Sequence, residues 1–295
     1  LYRVNRGDCR DYLPRLKDDS VDLVVIDPPY GIDQLNQEWD DEKIRKSIDA
    51  SERSVVKNIP VGMKFDPRDA RKLGEFLYGI FVELKRALKP GGFCIVFSQA
   101  RSCHHVGVSL ENAGFELREQ MIWDYGAGQG KAQGMQNFIR KNKNLSEEQK
   151  AMYIKEMQGF KTPQLTPTFE TMWLAQKPRE GKFWENFMKY GVGLVDFREG
   201  NRKVKFSFSK PNKVERRSAG NHPTLKPVDL MVELISVFSL ENSAVLDCFA
   251  GSGTVGVACQ KTNRSFVGIE KSEEWFAVMQ ERLKLHEGEI NKEVI

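Results

Sequence analysis

Hydrophobic and polar positions along the chain switch between two periods. Val-Asp-Leu-Val-Val-Ile at residues 21–26 is an apolar, β-branched run that predicts a buried strand. Pro28 and Pro29 have no N–H to give a ladder, so that strand must stop before them. Residues 69–88 instead set Leu73, Phe76, Leu77, Ile80, Phe81, Leu84 and Leu88 at helical spacing. Pro90-Gly91-Gly92 is expected to break that helix ahead of a strand at 93–97. A helix at 102–113 and strands at 115–123 and 170–175 follow. Ser146 with Gln149 reads as a capping box opening a helix to about 158, in which Met152, Tyr153, Ile154 and Met157 are expected to pack. Residues 177–219 show no sustained period. Regularity returns with an amphipathic helix at 227–238, a strand at 244–248, a helix to about 259, a strand at 265–269 ending in Glu270, and a last helix capped by Ser272 that runs to about 284. Strands alternating with helices predict an α/β fold with a mostly parallel sheet. The polar stretch 33–61 is expected to be a mobile lid.

Composition narrows the class. The 295 residues are 40 % hydrophobic and 29 % charged, which is ordinary for a soluble globular chain, and no run is apolar enough for a membrane span. No signal-peptide pattern opens the chain. It begins at Leu1 rather than Met, so an initiator or short leader is expected ahead of it. Five cysteines at irregular spacing fit reduced intracellular thiols and a cytoplasmic location. No metal site is expected; Cys103, His104 and His105 read as a plain loop or helix face.

The net charge of +4 hides its distribution. Residues 131–161 hold seven basic and three acidic side chains, and residues 202–217 hold seven basic side chains against Glu215 alone. Those windows carry +10 together and the rest of the chain −6, the pattern of a polyanion-binding surface on an acidic body. Phe206 and Phe208, interleaved in the second window, are expected to add stacking faces.

Two turns carry the chemistry. Gly251, Gly253 and Gly256 form G-x-G-x-x-G between a strand and a helix, and Glu270 lies 19 residues after Gly251 at the end of the next strand. Such glycines admit close approach of a ligand to the backbone, and the acidic side chain suits two ribose hydroxyls, so a nucleoside-containing cofactor is expected. Only 25 residues follow Glu270, so the rest of the sheet must come from earlier in the chain and the order of the fold is rotated. Asp247, just before the turn, is placed to face an ammonium rather than a phosphate. The second turn is Asp27-Pro28-Pro29-Tyr30. Asp27 and the Pro28 carbonyl can accept both hydrogens of an exocyclic amino group, and Tyr30 offers a flat face to a base.

With these motifs in this order, the chain resembles the S-adenosylmethionine-dependent DNA amino-methyltransferases of the permuted beta class. The matching segments are Arg6-Gly7-Asp8-Cys9, residues 21–30, residues 90–98, Asn221-His222-Pro223-Thr224-Leu225-Lys226-Pro227, residues 245–256 and residues 266–270. The resemblance implies a Rossmann-like, mostly parallel sheet with helices on both faces, a circularly permuted motif order and inserted target-recognition segments. It assigns catalysis to Asp27, Pro28, Pro29 and Tyr30. It assigns S-adenosylmethionine to Asp8, Cys9, His222, Thr224, Lys226, Asp247, Phe249, Ala250, Gly251, Ser252, Gly253, Thr254 and Glu270, although Cys9 also reads as a packing residue. Double-stranded DNA would meet Lys131, Arg140, Lys141, Lys143, Arg202, Lys203, Lys205, Lys210, Lys213, Arg216 and Arg217. The layout expected is a catalytic half at 1–125, a helical basic insertion at 126–168, a core strand at 169–176, a target-recognition region at 177–219 and a cofactor half at 220–295. Asp at the first turn position leans toward adenine N6; cytosine N4 is the alternative, and a non-catalytic DNA- or cofactor-binding module is the rival from another class. A homodimer and a cognate restriction enzyme are further partners that the resemblance implies.

Overall fold

The computed structural model describes residues 2–29, 67–128, 130, 132–200 and 202–284. Tyr30, Lys131 and the lid expected at 33–61 lie outside the described residues.

An eight-stranded sheet runs in the order β1-β8-β7-β2-β3-β5-β4-β6. Its strands are β1 (Tyr2–Arg6), β2 (Val21–Ile26), β3 (Leu88–Ser98), β4 (Glu116–Asp124), β5 (Phe169–Gln176), β6 (Lys205–Ser207), β7 (Ala244–Asp247) and β8 (Ser265–Glu270). Neighbours from β1 through β3 pair in parallel, and β5 runs antiparallel to β3. The rotated order is visible in the pairing: the two strands latest in the chain, β7 and β8, sit between β1 and β2.

Side-chain alternation gives the sheet two packed faces. Val24 and Ile26 of β2 and Cys94 and Val96 of β3 join Leu73, Leu77, Ile80, Phe81 and Leu84 of helix α2 (Pro67–Ala87) in one cluster, together with Val106 and Leu110 of α3 (Cys103–Asn112). On the other face Phe93 of β3 meets Phe238 of α8 (Val228–Phe238) edge-on, with centroids 5.4 Å apart. Helices therefore cover both sides, as a parallel sheet requires. The remaining helices are α1 (Cys9–Tyr12), α4 (Met135–Lys141), α5 (Glu147–Glu156), α6 (Phe183–Tyr190), α7 (Lys213–Ser218), α9 (Thr254–Lys261) and α10 (Glu273–Leu283).

Several boundaries differ from the expected ones. Strands β1 and β6 and helices α1, α4, α6 and α7 were not anticipated. Pro90-Gly91-Gly92 lies within β3 and does not separate it from the helix: α2 ends at Ala87 and the strand begins at once. The three residues form an irregularity opposite β2, where Val21 pairs with Leu88 but Leu23 pairs with Phe93. Gly91 sits at φ +80°, a conformation that a residue with a Cβ adopts only under strain.

The segment Asp124–Phe169 is a compact unit of its own. It holds α4 and α5; the expected capping box at Ser146 and Gln149 is present. Of the four side chains expected to pack, Tyr153 and Ile154 are half-buried, whereas Met152 and Met157 are exposed, along with Phe138, Phe160 and Leu165.

One buried carboxylate ties together the strands that carry the two functional turns. Asp22 in β2 accepts from the Ala244 N–H of β7 at 2.6 Å and from Lys89 Nζ of β3 at 2.6 Å. Replacing Asp22 with Ala leaves a half-buried N–H and an ammonium without this acceptor. We expect a loss of about 2–4 kcal/mol in urea unfolding, against less than about 0.5 kcal/mol for a control at exposed Lys203.

Candidate active site

The carboxyl ends of the parallel strands gather the polar groups. Asp27 follows β2 directly, Asp247 is the last residue of β7 and Glu270 the last of β8. β2 is buried along its length, and β7 and β8 are buried or half-buried along theirs, so each fixes the residue at its end. Pro28 and Pro29 then turn the chain away from the ladder.

The glycine turn is held from two sides. Glu270 accepts from the Gly251 N–H at 2.7 Å through one oxygen and from the Ser272 N–H at 2.7 Å through the other. Burial raises its pKa despite those N–H groups. Asp247 accepts from the Phe249 N–H at 3.0 Å. Burial pushes its carboxyl well above the usual range, and the nearby charges of Asp27 and Glu270 add to the rise. Gly251 (φ +51°) faces the His222 ring, with 3.0 Å between Nε2 and the place a Cβ would take. Gly256 lets α9 approach β8, since a Cβ there would lie 2.8 Å from the Phe266 ring. Arg282 of α10 binds the Ser252 carbonyl at 2.7 Å and the hydroxyls of Ser252 and Thr254 at 3.0 and 3.2 Å. Ala250 is buried and Phe249 partly so.

The residues assigned to the cofactor do not all converge. Asp8 caps α1 and is gripped by Arg10 at 2.8 and 2.9 Å and by Lys271 at 3.3 Å. The Arg10 guanidinium holds its carboxyl well below the usual range. Cys9 and Cys248 are buried core thiols. Thr224 is exposed, and its carbonyl lies 3.5 Å from Lys226 Nζ. Lys226 is the largest departure. Its side chain is 4 % exposed and its ammonium pairs with Asp27 and, at 3.2 Å, with Glu170. Burial alone would lower this ammonium, but the two carboxylates outweigh it and hold it above the ordinary lysine range. Among the described residues, Lys226 thus sits at the Asp27-Pro28-Pro29 turn.

Glu170 and Arg282 were missed by sequence reading. Glu170 is an acidic residue near the start of a strand, with nothing local to mark it. Arg282 sits in the last turn of an ordinary amphipathic helix.

The basic residues fall into groups. Arg140, Lys141 and Lys143, within the separate unit, are exposed, as are Lys203, Lys205, Lys210, Lys213 and Arg217. Arg202 turns inward to the Asp196 carbonyl at 2.8 Å, and Arg216 to the Pro211 carbonyl at 3.3 Å. Phe206 is a core residue: β6 alternates exposed Lys205, buried Phe206, exposed Ser207, so its ring offers no stacking face. Phe208 is partly buried. Among the described residues no group of three or more His, Cys, Asp or Glu side chains could hold a metal, and no helix is long and apolar enough to cross a membrane.

His222 packs edge-on against Trp275, with centroids 4.4 Å apart, and its Nδ1 is buried without a partner. Burial first, and then the cations Lys226 and Arg282, lower its pKa to about 4. Between pH 6.5 and 4 the unfolded chain binds a proton here that the native chain does not, so this residue's contribution to stability falls as pH falls through that window. The loss at pH 4 is about 2–3 kcal/mol. Asp247 and Glu270, whose carboxyls are raised in the native chain, act in the opposite direction, so the effect is read as a difference: the pH profiles of wild type and His222→Phe in urea unfolding should diverge by about that amount between pH 7 and 4.

Comparison with known proteins places this geometry in a family. A DNA methylase family model, covering N6 and N4 methyltransferases, matches residues 21–281. The type II methyltransferase M.HindIII of Haemophilus influenzae is 25 % identical over 290 residues, covering 92 % of this chain and 91 % of that protein. The type II methyltransferase M2.LlaDCHI of Lactococcus lactis subsp. cremoris is 24 % identical over 279 residues, covering 94 % and 87 %. The fold matches the crystal structure of the M1.HpyAVI–SAM complex at TM-score 0.61 and 20 % identity, covering 97 % of this chain and 100 % of that one. It also matches the cytosine-N4-specific PvuII DNA methyltransferase at TM-score 0.60 and 15 % identity, covering 97 % and 89 %. The family model spans the Asp27-Pro28-Pro29 turn, the glycine turn and the acidic residues at the ends of β7 and β8, and the chain belongs to the DNA methylase family.

Proposed function

We propose that this protein transfers a methyl group from S-adenosylmethionine to the exocyclic N6 of an adenine flipped out of duplex DNA, at a defined sequence. The observation that carries the reading is the Asp27-Pro28-Pro29 turn at the carboxyl edge, beside two buried carboxylates and a glycine turn. Asp27, Asp247, Glu270 and Glu170 share that edge with Lys226 as the buried ammonium among them. Such an excess of negative charge suits a ligand that carries a sulfonium and an ammonium. The buried, unpartnered Nδ1 of His222 and the cradle at Gly251 fit the same ligand. Glu270 and Asp247, with residues 249–254 and His222, would hold it. When bound, S-adenosylmethionine supplies an electrophilic methyl group.

The chain's own task is the nucleophile. The lone pair of an adenine amino group is conjugated into the ring and is a poor donor. Asp27 and the Pro28 carbonyl accept its two hydrogens, and the nitrogen moves toward sp3 geometry with its lone pair aimed at the methyl carbon. Asp27 takes the proton released as the N–C bond forms. Tyr30 stacks on the base, which must leave the duplex to reach the turn. The exposed basic side chains at 140–143 and 203–217 bind the DNA backbone, so affinity falls steeply with salt. Adenine is favoured over cytosine by Asp at the first position of the turn. A homodimer and a partner restriction enzyme belong to the same reading.

The test is single-molecule sequencing of DNA from a methylation-deficient bacterial host expressing the chain. N6-methyladenine in one short context is expected. N4-methylcytosine would overturn the base assignment, and no new modification would favour a binding module. Asp27→Ala should lower methyl transfer at least a thousandfold while S-adenosylmethionine still binds. Transfer by this variant at the wild-type rate would sink the role given to Asp27.

A further inference from the structure

Lys226 and Glu170 have a placement that the reaction outlined above does not use. Ile26 pairs with Val96 and Ser98 with Thr171, so the chain leaving β2 and the chain entering β5 meet the same end of β3. That puts Asp27 and Glu170 on either side of β3's last residues. The join between β3 and β5 is fastened: Thr171 Oγ1 donates to the Ser98 carbonyl at 2.7 Å, and the two hydroxyls lie 3.0 Å apart. Lys226 enters from the segment before α8, between buried Leu225 and buried Pro227. Its Nζ lies 5.1 Å from the centre of the Phe97 ring, which walls one side.

An ammonium has three donors. Here Asp27, Glu170 at 3.2 Å and the Thr224 carbonyl at 3.5 Å take them up. A cofactor carboxylate would have to displace one of these acceptors. A buried lysine between two carboxylates is also costly unless each partner stays in place, so the arrangement is a rigid one. The titratable groups that bear on it are Asp27, Glu170, Asp247 and His222.

We propose that Lys226 and Glu170 are positioning residues of the methyl-transfer site: the ammonium, clamped between two carboxylates, fixes Asp27 as the acceptor for the target amino group, and Glu170 keeps the ammonium from swinging away. The proposal rests on the reading of Asp27 given above. It places Lys226 outside the cofactor contacts and adds Glu170, which no motif marks, to the site. The second carboxylate matters because Lys226 alone could follow Asp27 through several rotamers. Tied to β5 through Glu170, it cannot.

Positioning residues affect the rate of transfer more than the binding of the cofactor. Single-turnover transfer of tritiated methyl to amplified, unmethylated genomic DNA measures the first, and calorimetry with S-adenosylmethionine the second. We expect about a hundredfold loss in rate for Lys226→Met and about tenfold for Glu170→Gln. S-adenosylmethionine binding by calorimetry should stay within about threefold of wild type in Glu170→Gln. Transfer by either variant at the wild-type rate would overturn the proposal. So would a selective loss of cofactor binding in a folded Lys226→Met protein, which would return Lys226 to the cofactor. Glu170→Gln keeps the test decisive should Lys226→Met fail to fold. If wild-type protein methylates no DNA, the clamp is still read by 15N NMR of the lysine ammonium groups. A slowly exchanging Lys226 signal that is lost in Asp27→Asn would support the clamp and place the failure with the proposed function. Its absence from the wild-type spectrum would place the failure with the clamp.

Discussion

Several carboxylates are crowded at one edge of the parallel sheet, and the rest of the site is arranged to make that tolerable. Asp27, Asp247 and Glu270 end or follow three adjacent strands. Like charges at that spacing resist ionisation and oppose folding. Two kinds of group offset them. Backbone N–H groups of the glycine turn and of Ser272 serve Glu270, and that of Phe249 serves Asp247. The Lys226 ammonium serves Asp27 and Glu170. The first kind sets the path of the glycine turn, because the bonds that satisfy the acids run from its backbone. The second holds Asp27 at the end of β2. On the proposed reading, a ligand bearing positive charge completes what the protein leaves incomplete, so binding and electrostatic relief are one event.

How much of this was legible in the sequence follows from how far each signal reaches. Val21–Ile26, the double proline and the glycine spacing are local, and each lies where expected. Glu270 was found because it follows the turn by one helix and one strand, a distance set by element lengths. Lys226 was expected beside the cofactor, and its partners in the structure, Asp27 and Glu170, were not expected. Its segment is local, whereas its partners come from residues 27 and 170 and only the sheet order joins them. Glu170 had no local signal at all. Pro90-Gly91-Gly92 misled for a related reason. A proline and two glycines mark a break in an isolated chain, but here the main chain between Lys177 and β3 supplies the bonds that keep a bulged strand in register. Phe206 misled because charge on both sides suggested a surface, while alternation along a strand put it inward.

The basic segments show the limit of counting charge. Both windows are strongly positive, yet Arg202 and Arg216 direct their guanidinium groups to carbonyls of the protein itself. The remaining exposed lysines and arginines give a smaller surface than the sequence total suggests. Phosphate affinity depends on the charges that can reach the duplex, so that smaller set is the relevant one.

The place of β1 in the sheet has a consequence for how the molecule comes into being. Among the described residues its one neighbour in the sheet is β8, a strand made more than 250 residues later. During synthesis β1 has no ladder to join, and the acids of β7 and β8 are not yet beside Asp27. Closure of the sheet must therefore wait for nearly the whole chain, which makes assembly slow and dominated by distant contacts. The same wait means that a nascent or interrupted chain lacks its glycine turn and has no means to modify DNA. Activity arrives at once, with the last two strands.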